Sequence, residues 1–162
     1  MRIAWELSIN LVEVCIIYDF LIRYLGYRTK NKSRYIETIF WGMGSFIAIS
    51  VPSLLMPLEA LSTLFSVCIN YIFCVRLLNG KKLEKAFLSV FIMVLVAISA
   101  VLGLSLFGKF SGENASELIG VFSLNRVAAL IFSKILLIWF TRMVLRWRTT
   151  AKWITKYQEN RA

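Results

Sequence analysis

The chain has 162 residues, 59% of them hydrophobic, with a mean hydropathy of +0.71 and a formal net charge of +10. Ordinary soluble domains run to about 45–50% apolar residues, so this composition argues against one and for an all-α integral membrane helix bundle. The excess of positive charge is shared with nucleic-acid binders. Here it falls between the apolar runs, which points to a lipid bilayer and away from nucleic acid.

Five apolar segments follow one another. The first covers about 3–24 and carries Glu13 and Asp19; its only early base is Arg2, and Glu6 and Glu13 interrupt it, unlike a cleavable signal. A basic stretch with Arg23, Arg28, Lys30, Lys32 and Arg34 comes next. The second segment, 36–55, holds a small-residue patch at Gly42, Gly44 and Ser45, of the kind that lets helices approach closely or two copies associate. The run VPSLLMPLEA, with Pro52, Pro57 and Glu59 but no Lys or Arg, reads as a turn. The third segment, 58–78, places Asn70 near its middle, as an interhelical hydrogen bond or a ligand contact. The loop after it has the turn signal Asn79-Gly80 and the bases Arg76, Lys81, Lys82 and Lys85. The fourth segment, 86–107, has no charge. A polar loop with Lys109, Glu113 and Glu117 leads to the fifth, 118–144, which contains Arg126 and Lys134.

Bases near span ends mark the cytoplasmic side. Fifteen of the 19 lie in the loops after the first and third segments and from Arg142 onward. The expected topology is five transmembrane helices within 1–145, with the N-terminus outside and the C-terminus cytoplasmic. The tail, 146–162, has Trp147, Ala151, Ile154 and Tyr157 near one helical face and bases elsewhere. It reads as an interfacial anchor or as a connecting helix to a cytoplasmic output.

A charge in the middle of a membrane helix costs at least about 3 kcal/mol, so Arg126 and Lys134 call for partners. In this topology the first and fifth segments run in the same direction. Glu13 and Arg126 then fall at similar depth, as do Asp19 and Lys134, and these are the two ion pairs expected. The alternatives are snorkelling of Lys134 and Asp19 to the inner interface or a direct ligand role. The candidate ligand-binding residues are Arg126, Glu13 and Asn70.

Histidine is absent, which removes the commonest general base and metal ligand. No P-loop, GxGxxG, HExxH or CxxC pattern occurs, and Asp19 is the sole aspartate. Cys15, Cys68 and Cys74 stand singly, with neither metal-ligand spacing nor a disulfide framework. No catalysis, metal or cofactor is expected.

The opening ELSINLVEVCIIYDFLIRYLGYR, with Glu6, Glu13, Tyr24, Leu25, Gly26 and Tyr27, resembles the first membrane helix of Agr-type peptide-sensing histidine kinases of Gram-positive bacteria, the receptors with a GHKL kinase domain. The short polar outer loops and basic inner loops are also similar. The resemblance implies a sensor module in a bacterial plasma membrane that binds a small secreted peptide near Glu59, the outer loop from Lys109 to Glu117, and Arg126. It implies a homodimer or cytoplasmic signalling partner. The chain departs from that family in having five segments where about six are usual, and no phosphoacceptor histidine or ATP-binding domain. Two other readings stand beside it. One is a small-molecule transporter or substrate-binding membrane subunit that lines its pocket with Arg126, Lys134, Glu13 and Asn70. The other is an assembly subunit whose charges set helix register.

Overall fold

The computed structural model describes residues 2–28, 33–55, 59–111 and 124–159. Among these residues the chain is all-helical, with five helices: α1 (Arg2–Leu25), α2 (Ser33–Leu55), α3 (Glu59–Leu77), α4 (Lys82–Ser111) and α5 (Leu124–Glu159). Two stretches, Lys82–Phe110 in α4 and Asn125–Thr150 in α5, are long and apolar enough to cross a membrane.

Each helix packs on its neighbour in sequence, and α5 closes back on α1. Side-chain links give the directions. Asn10 reaches Ser50, Tyr18 reaches Trp41 and Ser45, and Tyr27 reaches Thr38, so α1 and α2 are antiparallel. Asn70 with Met93 and Cys74 with Ser89 make α3 and α4 antiparallel. Glu6 with Arg126 and Asp19 with Arg142 make α1 and α5 parallel.

The apolar core is concentrated at the end where α1 and α3 finish and α4 begins. Ile17, Phe20, Leu21 and Leu25 of α1 meet Phe73, Cys74 and Leu77 of α3, Leu88 and Ile92 of α4, and Leu137 of α5. The turns beyond α1 and α3 are knitted together there. Gly26 and Gly80 adopt φ of 72° and 108°, conformations that a side chain disfavours. They let Asn79 N–H donate to Gly26 O and Arg28 N–H donate to Leu77 O. Lys85, counted among the loop bases in the sequence, is buried, and its ammonium donates to Leu78 O at 2.6 Å. That bond satisfies a carbonyl at the exit of α3, where a helix leaves its last acceptors open.

α2 and α4 turn large apolar residues outward and bury small polar ones. Ile36, Ile39, Phe40, Met43 and Ile47 recur at helical spacing along the exposed side of α2, whereas Ser45 and Ser50 are buried. On α4 the exposed series is Leu83, Phe87, Val90, Val94 and Val101, and the buried one includes Lys85, Ser89 and Ser99. Apolar faces of this extent mark an interaction or membrane surface.

Two expectations are corrected. Pro52 lies inside α2 rather than in the turn. Its ring costs α2 one i→i−4 bond, to the carbonyl of Ala48, and only three residues of helix follow it. The expected start of the last segment, at 118, lies outside the described residues; from Leu124 the helix continues without a break past residue 145 to Glu159. The close helix approach is not at Gly42 or Gly44, where an added Cβ would meet nothing within 4 Å. It is at Gly103, where a Cβ would lie 2.6 Å from the Ser133 Cβ.

Candidate functional site

Three carboxylates on α1 face three cations on α5. Glu6, Glu13 and Asp19 are separated by seven and six residues, and Arg126, Lys134 and Arg142 by eight each. At 1.5 Å and 100° per residue these steps rise about 9–12 Å, but only the seven-residue step returns to nearly the same face; the six- and eight-residue steps end about 120° and 80° away. Two parallel helices match the charges in height, and long side chains reaching around the helices close the rungs. Arg126 Nη2 lies 3.3 Å from Glu6 Oε1, with the two side chains 17% and 24% exposed. Lys134 Nζ donates to Glu13 Oε2 in the most enclosed rung, at 11% and 12% exposure. Arg142 Nη2 is 3.5 Å from Asp19 Oδ2, and Asp19 also accepts from Arg23 Nε at 2.6 Å; this rung is about half exposed.

The expected pairs were Glu13 with Arg126 and Asp19 with Lys134, and the partners differ from both. The cause is the axial register of α5 against α1. Arg126 is level with Glu6, the carboxylate nearest the start of α1, and each later cation moves up by one partner.

The rungs differ in energy because they differ in burial. Removing one member of a buried pair leaves an uncompensated charge and costs about 3–5 kcal/mol, which is the regime of Glu13 and Lys134. An exposed pair contributes about 0–1 kcal/mol, which is the regime of Asp19 and its arginines. Away from the apolar core, the described residues of α1, α2 and α5 are thus joined by polar contacts: the Glu6–Arg126 and Glu13–Lys134 rungs and the Asn10–Ser50 hydrogen bond at 3.3 Å.

The remaining candidates are dispersed. Asn70 is buried between α3 and α4, with its Nδ2 3.8 Å from Met93 Sδ and its Oδ1 without a hydrogen-bond partner among the described residues. Lys109 is exposed in the last turn of α4. Glu59 is the first residue of α3, its side chain lies outside the described residues, and Glu113 lies outside them altogether. Among the described residues no group of three or more His, Cys, Asp or Glu side chains is placed to hold a metal.

Two features escaped the sequence reading. Glu6 and Arg142 belong to the ladder, and the eight-residue recurrence of Arg126, Lys134 and Arg142 was the available signal. The other is a pair of cavities of about 420 Å³ each beside the end of α1, which share Tyr24 and Arg148. No family model matches the chain, and no curated protein or solved structure matches it.

Proposed function

We propose that this chain is a multi-pass cell-membrane protein of five spans, N-terminus outside and C-terminus cytoplasmic. It acts as a receptor-like module that takes up a small extracellular signal of the peptide class and passes it inward. Support for the membrane setting comes from the exposed apolar faces of α2 and α4, the buried serines behind them, and the alternation of basic and base-poor loops. The likeness of the first span to peptide-sensing receptors supports the class of signal.

The observation that carries the signalling role is the length of α5. It runs 36 residues unbroken from the Glu6–Arg126 rung to Glu159. At 1.5 Å per residue that is about 54 Å, against about 30 Å of hydrocarbon. A shift at its outer end is therefore carried beyond the opposite membrane face by one rigid element. The outer half of the bundle, joined across α1, α2 and α5 by polar contacts among the described residues, is the half that rearranges.

The test is a distance between the inner ends of α1 and α5. Spin labels at Arg28→Cys and Thr150→Cys, with the native cysteines replaced by alanine, are followed by pulsed electron paramagnetic resonance in vesicles. Arg126→Ala releases the outer rung and is expected to move the label distance by on the order of 1–2 Å. An unchanged distance in a folded Arg126→Ala protein would overturn transmission along α5.

A further inference from the structure

We propose that the inner end of α5 holds an anionic phospholipid, with its phosphate among Arg23, Arg142, Arg146 and Arg148 and an acyl chain against Phe87, Phe91 and Trp147. The proposal rests on the membrane setting given above and adds a specific lipid class.

The first cavity, about 420 Å³, is lined by all four of those arginines together with Tyr24. Two carboxylates approach them: Asp19, on Arg23 and Arg142, and Glu84, 3.7 Å from Arg148. Four guanidiniums against two carboxylates leave an excess of two positive charges. Arg146 has no acidic partner among the described residues. Guanidinium presents a planar fork of donors that matches phosphate oxygens and is desolvated more easily than ammonium. All four cations here are arginine, although the chain has lysines to spare nearby.

The second cavity, of similar volume, is bounded by Phe87, Leu88, Phe91, Val144 and Trp147. Phe87 and Phe91 stack with centroids 5.8 Å apart and planes 16° from parallel, giving one flat apolar wall. Tyr24 and Arg148 border both cavities, and the Arg148 guanidinium lies 3.8 Å from the Tyr24 ring centroid. A cationic chamber thus opens beside an apolar groove across one stacked residue pair. A free phosphate would occupy only the chamber, and a zwitterionic lipid would bring a quaternary ammonium into a chamber that already carries an excess of positive charge. An anionic phospholipid fills both, and basic pockets between helices at the cytoplasmic face recognise such headgroups.

The full chain in detergent is titrated with dioleoyl phosphatidylglycerol, dioleoyl phosphatidylcholine or inorganic phosphate and read by native mass spectrometry. Phosphatidylglycerol is expected to bind at least about tenfold more tightly than phosphatidylcholine. Arg146→Gln and Arg23→Gln should each reduce that preference about fivefold, the equivalent of one surface cation near anionic lipid. Phe91→Ala should weaken both lipids and leave the preference in place. A preference unchanged in both arginine variants, with helical circular dichroism retained, overturns the site. Displacement of the lipid by an equal concentration of phosphate assigns the chamber to free phosphate and overturns the lipid. Alkaline carbonate washing of vesicles separates the two failures. A chain stripped from the vesicles defeats the membrane setting, whereas one that stays embedded without lipid preference defeats this proposal alone.

Discussion

Glu13 and Lys134 are the residues on which the bundle's closure depends most directly, being the least exposed opposite charges that face each other across α1 and α5. Lys134→Met leaves the Glu13 carboxylate buried and alone, so it should cost about 3–5 kcal/mol. Replacing both, as Glu13→Leu with Lys134→Met, exchanges a desolvated pair for apolar contact, which is often neutral or favourable. The double variant should therefore recover most of the loss in thermal unfolding of the detergent-purified protein. A double variant no more stable than the worse single one would show that the rung is not coupled. Arg142→Gln, at a rung half open to its surroundings, should stay within about 1 kcal/mol of the parent.

At the scale of elements, α4 and α5 meet closely at Gly103, where the hydrogen stands in for a Cβ that would lie 2.6 Å from the Ser133 Cβ and 2.9 Å from its Cα. Neither of those atoms belongs to the far end of a flexible side chain, so the helices themselves must separate to admit a methyl group. Buried Ala129, Ser133, Leu137 and Thr141 recur every four residues along α5, and their mostly small side chains let α4 approach. Gly103→Ala is expected to destabilise the bundle by about 1–3 kcal/mol, the usual penalty of overpacking. Adding Ser133→Gly should return part of it, because the nearest contact is removed. If Gly103→Ala unfolds at the parent's temperature, the close approach is not a determinant of the α4–α5 packing.

Across the whole molecule, five helices in alternating directions place the α1 exit, the α3 exit and the α4 entry at one end. The bases of the first and third loops gather there, so the sidedness of the proposed topology reduces to one comparison. In a protein lacking its native cysteines, Lys82→Cys should react with a membrane-impermeant maleimide only after the cells are opened. Lys109→Cys should react in intact cells. Reversed labelling would invert the orientation, and labelling of both from one side would end the five-span reading.

The helices were legible because an apolar run with charged flanks has few other structures open to it, and the order of the five helices among the described residues follows from that. The presence of charges that need partners was equally legible, since a buried ion is expensive wherever it sits. Asn79-Gly80 marked its turn because glycine alone takes the positive φ found there without strain. The sequence by itself therefore determined an all-helical chain, the five helices found among the described residues and the identity of most ladder charges. Only the tertiary structure decided which charge meets which. A slip of six residues between two helices moves a partner by about 9 Å along the axis, and no local signal fixes that register. It also decided that Gly103, and neither Gly42 nor Gly44, is pressed against a neighbouring helix, and that Arg23, Arg142, Arg146 and Arg148 surround one chamber. Those pairings depend on the rotation of one helix against another, which hydropathy along a single chain does not encode.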